Sequence, residues 1–146
     1  DNSIETYFED NLPNIKGSSV HLKKTIMNLV SNAAEAQPSG GTIMIYTKRV
    51  YLDRPIKGYD KINAGDYVVV GVADRGEGIA KGDLQRIFEP FYTTKEVGKG
   101  TGLGLTVSYG IIKKLGGDFK VTSELGKGTK FNVYLKNKLP KLKGEG

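Results

Sequence analysis

The clearest pattern along the chain is a dense apolar run at residues 67–73, which contains three consecutive valines. Such a run, bounded by polar residues, is typical of a central strand that is buried on both faces. Alternating and β-rich segments predict four further strands, at residues 4–8, 42–51, 118–124 and 130–136. The last two are joined by a short glycine-containing segment, which predicts a hairpin.

Helical periodicity marks a first helix at residues 19–37, which Ser18 or Ser19 can cap and Pro38 ends. Its apolar positions recur at spacings of four and three, which gives a single stripe for the core. These positions are Leu22, Ile26, Leu29, Ala33 and Ala36. Two more helices are predicted at residues 81–88 and 103–115. The fold class is therefore α+β, with a mainly antiparallel sheet and three helices on one face.

Length and composition fit one globular domain. The chain has 146 residues, of which 38% are hydrophobic and 26% charged, and it has no low-complexity tract. We expect the domain to occupy residues 1–136 and a lysine-rich tail to occupy residues 137–146. No segment approaches the ~18 apolar residues of a membrane span, so this domain is not expected to contact a membrane.

The charged and metal-binding residue types narrow the function further. The chain lacks cysteine and has a single histidine, which excludes disulfides, thiolate metal sites and a cysteine nucleophile. Lys and Arg number 22 and Asp and Glu number 16, so the net charge is +6. Because no basic patch is interleaved with aromatic residues, nucleic-acid binding is not expected.

Two asparagines lie one turn apart on the first predicted helix, beside its apolar stripe. Asn28, Asn32 and Glu35 fall about 100° around the axis from that stripe. Asparagine is a poor helix former, so two at this spacing need an explanation. Amide oxygens are hard neutral ligands that suit Mg²⁺. This surface is therefore either a magnesium site or a solvated polar face.

Asp74 directly follows the valine-rich strand and begins the sequence Asp-Arg-Gly-Glu-Gly at residues 74–78. The glycines allow backbone to come close to a flat ligand. The carboxylate can accept a hydrogen bond from an exocyclic amine such as that of adenine. The alternative interpretation is an Asx turn at a strand end.

Four alternating glycines at residues 98–104 lead into the third predicted helix. Backbone N–H groups next to a helix N-terminus form a phosphate-binding nest. The spacing is not that of a Walker A loop, and no strand precedes it as in a dinucleotide fingerprint. A flexible linker is the alternative. The later segment Gly-Lys-Gly-Thr at residues 126–129 predicts only a turn by itself.

Together and in this order, these segments resemble the ATP-binding catalytic domain of sensor histidine kinases, in the superfamily shared with DNA gyrase B, Hsp90 and MutL. The N box, the first glycine box, the F box, the second glycine box and a final glycine motif have counterparts here. They are at residues 28–33, 74–78, 88–95, 100–105 and 126–129. The resemblance implies the two-layer α/β sandwich of the Bergerat ATP-binding fold, with a mixed sheet, and it implies ATP or ADP and Mg²⁺ as ligands.

The resemblance also implies roles for single residues. Asn32 would bind Mg²⁺, with Asn28 as a second or water-mediated ligand. Asp74 would accept a hydrogen bond from the adenine amine. The glycine at position 78 would let the base approach, and Thr129 would support Asp74. Other implied nucleotide contacts are Gly76, Ile79, Ile87, Gly100, Thr101, Gly102, Leu103, Gly104, Leu105 and Phe131.

The implied lid over the nucleotide covers residues 88–102. In it Lys95, and less directly Lys99, would contact the γ-phosphate as a point charge. Asn28, Asn32 and Lys95 would then form the catalytic set. The sequence departs from many relatives at Glu35 and Ala36, where a lysine and an aromatic residue are common.

The phosphate acceptor is expected outside this sequence. The only histidine, His21, lacks the acidic and proline neighbours of a phospho-acceptor helix. The expected acceptor is a histidine-bearing dimerisation domain of the same parent chain, preceding residue 1. A response regulator (receiver) domain, either separate or fused, is the expected next partner. The domain is expected in the cytoplasm, whether or not the parent is membrane-anchored.

Two other functions remain open at this stage. A gyrase- or Hsp90-like ATPase uses a glutamate one turn before the magnesium-binding asparagine, and that position holds Asn28 here. Hydrolysis by this chain would therefore be slow. A nucleotide-binding module without catalysis would carry the same binding residues and would not be distinguishable by sequence.

Overall fold

The computed structural model describes residues 2–8, 19–89 and 104–136. These ranges contain two helices and seven strands, so the α+β class is confirmed. In chain order the elements are β1 (Asn2–Phe8), α1 (Ser19–Glu35), β2 (Gly41–Leu52), β3 (Ile56–Lys57), β4 (Lys61–Ile62), β5 (Gly65–Asp74), α2 (Gly104–Lys114), β6 (Asp118–Glu124) and β7 (Gly128–Lys136).

The main sheet has five strands in the order β1-β2-β5-β7-β6. Strand β5 pairs antiparallel with both β2 and β7, and β6 pairs antiparallel with β7. Strand β1 pairs parallel with β2. The sheet is therefore mixed and mainly antiparallel, as predicted, and the valine-rich strand lies at its centre.

The two faces of β5 bury different partners, because successive side chains of a strand point to opposite faces. Val70 and Val72 face the helices and join the main core with Leu29 of α1 and Ile112 of α2. On the other face, Tyr67 and Val69 pack with Ile62 and Tyr134. The helix layer covers one face of the sheet, and the β3–β4 hairpin covers part of the other.

Residues 52–65 carry Pro55, Gly58 and Gly65, which predict a connecting loop, but the β3–β4 hairpin lies in this segment. Its two strands are only two residues each, Ile56–Lys57 and Lys61–Ile62. Ile62 is fully buried in the second core. The hairpin forms because Ile62 has this apolar surface to pack against, and that surface is supplied by distant strands.

The prediction of a helix at residues 81–88, the second of the three predicted, is wrong. The structure has a series of turns there, with hydrogen bonds from Arg86 N–H to the Asp83 carbonyl (2.9 Å) and from Glu89 N–H to the Arg86 carbonyl (2.9 Å). Such short segments rarely sustain a helix alone. Burial of Ile87 (3% exposed) and Phe88 (5% exposed) in the main core fixes the segment instead. The described residues thus place two helices, not three, on one face.

No helix in the described part of the chain is both long and apolar enough to cross a membrane. The lysine-rich tail and most of the predicted lid lie outside the described residues.

Candidate functional site

Asp74 is the last residue of β5 and is half-buried. Its Oδ1 accepts a hydrogen bond of 2.8 Å from the backbone N–H of Gly76, which forms the Asx turn that the sequence allowed. Burial raises the pKa of Asp74 above its ordinary 3.8, backbone hydrogen bonds from Gly76 and Thr129 lower it, and Glu77 raises it. The site therefore contains a fixed, partly desolvated carboxylate at the end of the central strand.

The two glycines of this turn are required by packing within the chain itself. A Cβ on Gly76 would lie 2.3 Å from the Ala36 carbonyl oxygen. A Cβ on Gly78, whose φ is +79°, would lie 2.3 Å from the Glu124 carbonyl oxygen. The turn is thus held between the end of α1 and the β6–β7 hairpin, and this contact explains the glycines without a ligand.

Thr129 lies opposite Asp74 in the β5–β7 register and is 5% exposed. Its hydroxyl is 2.8 Å from the hydroxyl of Ser123, while its direct bond to Asp74 comes from its backbone N–H. Ser123 also accepts a 2.7 Å hydrogen bond from Ile79 N–H. Sequence reasoning missed Ser123, although the hairpin register that pairs it with Thr129 could have indicated it.

An open pocket of about 300 Å³ lies beside Asp74. Its lining includes Ser123, Thr129 and the flanking hairpin residues Lys127 and Lys130. Apart from Asp74, this lining comes from the β6–β7 hairpin and includes neither Asn28 nor Asn32.

Asn28 lies on α1 and contacts α2. The Asn28 amide nitrogen donates to the Gly104 carbonyl at 3.4 Å and to the Ser108 hydroxyl at 3.2 Å. The amide nitrogen of Asn32 is buried and has no hydrogen-bond partner among the described residues. Leaving such a group unsatisfied costs about 1–3 kcal/mol, so Asn32 is a residue whose pairing a ligand can complete.

The side-chain amides of Asn28 and Asn32 could offer neutral oxygen ligands to a cation. Residues 2–8, 19–89 and 104–136 hold no group of three or more His, Cys, Asp or Glu side chains that could bind a metal. A cation near Asn28 and Asn32 would take neutral amide oxygens, phosphate oxygens and water, and Mg²⁺ accepts this combination.

Four apolar side chains that the resemblance implies as nucleotide contacts divide into two pairs. Ile87 and Phe131 are 3% and 5% exposed and belong to the main core. Ile79 and Leu105 are only partly buried and pack against the edge of that core. Gly104 is the first residue of α2. Lys95, Lys99, Gly100, Thr101, Gly102 and Leu103 lie outside the described residues.

An aromatic cluster that the sequence did not predict joins the segments on either side of residues 90–103. The ring of Phe88 lies 4.6 Å from Tyr59 and 5.2 Å from Tyr109, between ring centroids. The Tyr109 hydroxyl donates to Asp60 at 2.5 Å, and Thr106 donates to the Phe88 carbonyl at 3.0 Å. Phe88, the first residue of the predicted lid, is thus buried in the core and fixed to α2.

This geometry agrees with the comparison to protein families. Residues 17–139 match the model of the histidine kinase-, DNA gyrase B- and HSP90-like ATPases, and the chain belongs to this family. Its sequence relatives include sensor kinases and sporulation kinases. The chain is a catalytic ATP-binding domain of sensor histidine kinases.

Two sequence relatives illustrate the match. The chain is 42% identical over 122 residues to sensor kinase CckA of Brucella abortus (strain 2308), covering 83% of this chain and 13% of that protein. It is 41% identical over 109 residues to sporulation kinase E of Bacillus subtilis (strain 168), covering 75% of this chain and 13% of that protein. The chain thus spans only a small part of these relatives.

Two solved structures share the fold. Full-length ShkA in complex with AMPPNP aligns with a TM-score of 0.73 at 27% identity, covering 97% of this chain and 27% of that one. The nucleotide-free catalytic domain of histidine kinase ThkA aligns with a TM-score of 0.72 at 26% identity, covering 95% of this chain and 82% of that one.

Proposed function

We propose that this domain holds Mg·ATP and presents the γ-phosphate to a histidine on a dimerisation domain of the same parent chain. The observation that carries the proposal is the junction between α1 and the turn after β5. Ala36 accepts a hydrogen bond from Glu77 N–H (3.3 Å), and Ala36 N–H bonds to the carbonyl of Asn32 (3.0 Å). These backbone hydrogen bonds join the asparagine-bearing end of α1 to the turn that follows Asp74, which supports the proposal of a single site that uses the amides and the carboxylate.

At the adenine end, the Asp74 carboxylate would accept a hydrogen bond from the 6-amino group of the base. Gly76 and Thr129 keep the carboxylate in place, and Gly78 shapes the turn. Ile79 and Leu105 would contact the base, because they retain exposed surface at the edge of the core. Behind them, the core residues Ile87 and Phe131 would support this wall.

At the phosphate end, Asn32 with Asn28 would hold Mg²⁺, which when bound neutralises charge on the phosphates. Asn28 donates a hydrogen bond to Gly104, the first residue of α2, so its side chain lies near the N-terminus of that helix. The N-terminus of a helix carries a positive partial charge that favours phosphate. The further contacts from Lys95 and from residues 100–103 rest on the family resemblance.

The wider assignments rest on the same resemblance and on the sensor kinases among the relatives. The domain would occupy residues 1–136, followed by a tail at 137–146. A response regulator, separate or fused, would receive the phosphoryl group from the dimerisation domain. A cytoplasmic location would give the site access to ATP.

Phosphotransfer in trans tests this proposal. The wild-type domain, Asn32→Ala and the control Asn63→Ala would be mixed with the parent's dimerisation domain and γ-labelled Mg·ATP. Asn63 is an exposed asparagine between β4 and β5. We expect acid-labile phosphohistidine with wild type and the control, and a loss of about 10–100-fold in Asn32→Ala. Release of inorganic phosphate without labelled histidine would instead support the ATPase alternative.

A further inference from the structure

Gln37 joins the turn after β5 to the start of β1 through its side-chain amide. It follows α1, is 5% exposed, and was not singled out by its sequence context. Its Oε1 accepts a hydrogen bond of 2.7 Å from the backbone N–H of Arg75. Its Nε2 donates at 2.8 Å to Oδ1 of Asn2, at the start of β1. Because both ends of the amide are engaged, the side chain is fixed in one orientation.

Gln37 is enclosed by its surroundings. A Cβ on Gly41 would lie 3.0 Å from its Nε2, which is tighter than an ordinary contact. Its neighbour Ala36 meets Gly76 and Glu77 of the same turn. The end of α1 is therefore a support on which the turn after Asp74 rests, and Gln37 supplies the shortest hydrogen bond in that support.

The bond from Gln37 acts on the peptide group that directly follows Asp74. Fixing the Arg75 N–H fixes the plane of the Asp74–Arg75 peptide, and this plane sets the direction in which the chain leaves β5. The carboxylate of Asp74 is held within the same turn by Gly76 N–H. A shift of the turn would therefore move the carboxylate and its donors together.

We propose that Gln37 is a positioning residue for base recognition, which acts through the turn to aim the Asp74 carboxylate at the 6-amino group of adenine. This inference rests on the proposed function, in which Asp74 accepts that amine. It differs from a purely structural role of tying β1 to α1, because a positioning role changes selectivity for the base.

Base selectivity is measured by comparing ATP with ITP, which has the same phosphates but a carbonyl in place of the 6-amino group. A carbonyl facing the Asp74 carboxylate offers no donor. We expect the wild-type domain to bind Mg·ATP at least about tenfold more tightly than Mg·ITP, as a buried hydrogen bond to a charged group provides.

Gln37→Met keeps the length of the side chain and removes both hydrogen bonds. We expect it to reduce the ATP-to-ITP affinity ratio by about fivefold or more, while affinity for ITP changes by less than about twofold.

Gln37→Glu is the conservative variant. Either carboxylate oxygen can accept from Arg75 N–H, and the Asn2 amide can turn to donate, so the ratio should stay within about twofold of wild type. Gln85→Met, at an exposed glutamine, is the control and should leave the ratio unchanged.

Calorimetric titration of each folded variant, with its melting temperature recorded, decides the matter. A folded Gln37→Met domain with the wild-type ratio would overturn the inference and leave the role of Asp74 intact. A wild-type ratio near one would overturn the proposed role of Asp74, and the inference with it. Should Gln37→Met not fold, Gln37→Asn replaces it. Its shortened amide cannot reach Arg75, so a retained ratio would again refute the positioning role.

Discussion

At the scale of single residues, the ionised carboxylate of Asp74 would favour nucleotide binding but lowers the stability of the nucleotide-free domain. Burial is the largest influence on its pKa, which lies above the ordinary 3.8 despite hydrogen bonds from Gly76 and Thr129. The ionised carboxylate therefore destabilises the nucleotide-free fold. An adenine amine that donates to this carboxylate would offset part of that penalty, which is a reason for a binding site to retain it.

We expect Asp74→Asn to stabilise the nucleotide-free domain near pH 7 while weakening ATP binding. The pKa of Asp74 is higher in the folded state than the ordinary 3.8, so the protonated side chain favours folding. This contribution to the free energy of unfolding is complete below pH 3.8 and is lost as pH rises through the folded-state pKa. The variant lacks this loss, so its melting temperature at pH 7 should exceed that of wild type.

Thermal unfolding of wild type and Asp74→Asn from pH 3.5 to pH 7 measures this difference, which should shrink toward the acid end. A variant that is less stable than wild type at pH 7 would show that the hydrogen bonds to the carboxylate outweigh its burial.

At the scale of elements, the segments before and after residues 90–103 are joined by the cluster around Phe88. Tyr59 comes from the loop between β3 and β4, Tyr109 from α2 and Phe119 from β6. The Phe88 ring lies 4.8 Å from the Phe119 ring, between centroids. Edge-to-face and tilted pairs of this kind stabilise the fold by about 0.5–1.5 kcal/mol beyond burial, so the cluster forms a stable base at the start of the predicted lid.

Tyr109→Phe tests the polar part of this base, because it keeps the ring and removes the hydrogen bond to Asp60. We expect a loss of about 1 kcal/mol in the free energy of unfolding at pH 8. The bond to Asp60 raises the pKa of Tyr109 from 10.0 to about 12. A raised pKa of an acid means that the stabilisation is complete below pH 10 and is lost as pH approaches 12.

Urea unfolding of wild type and Tyr109→Phe at pH 8 and above pH 10 measures both effects, with Tyr51→Phe as a control at a residue that is 73% exposed. Equal stability of Tyr109→Phe and wild type at pH 8 would contradict this account.

The elements also show which parts of the fold local sequence determines. The five strands of the main sheet and the two helices lie close to the predicted bounds, because each has enough residues to show its periodicity. The segment 81–88 and the β3–β4 hairpin were mispredicted. Both are too short to be determined by local propensity, and both are fixed by distant surfaces, the main core and the face of β5.

The same distinction applies to the candidate site. Asp74, Asn28 and Asn32 were predictable, because a carboxylate after a buried strand and paired amides on a helix are visible in a window of a few residues. Gln37 and Ser123 were not, because their roles depend on partners 38 and 44 positions away, the Arg75 and Ile79 N–H groups. Fold geometry alone brings these residues together.

At the scale of the whole molecule, three distant parts of the chain converge at the carboxyl end of the central strand β5. The end of α1 supports the turn after β5 through Ala36 and Gln37. The β6–β7 hairpin supports it from the other side through Thr129 and Gly126, whose N–H bonds to the Glu77 carbonyl at 2.9 Å. A site assembled in this way depends on the complete fold, so nucleotide binding and folding of the domain should be coupled.

The central claim is that Asp74 reads adenine while Asn32 holds magnesium. The most direct measurement is a calorimetric titration of wild type, Asp74→Asn and Asn32→Ala with ATP, with Mg²⁺ and with EDTA. We predict that Asp74→Asn binds about tenfold or more weakly in both conditions, because an amine then faces an amide that cannot replace the charge. Asn32→Ala should lose only the magnesium-dependent part of the affinity. Absence of binding by wild type at millimolar ATP, or equal affinities in all three proteins, would contradict the account.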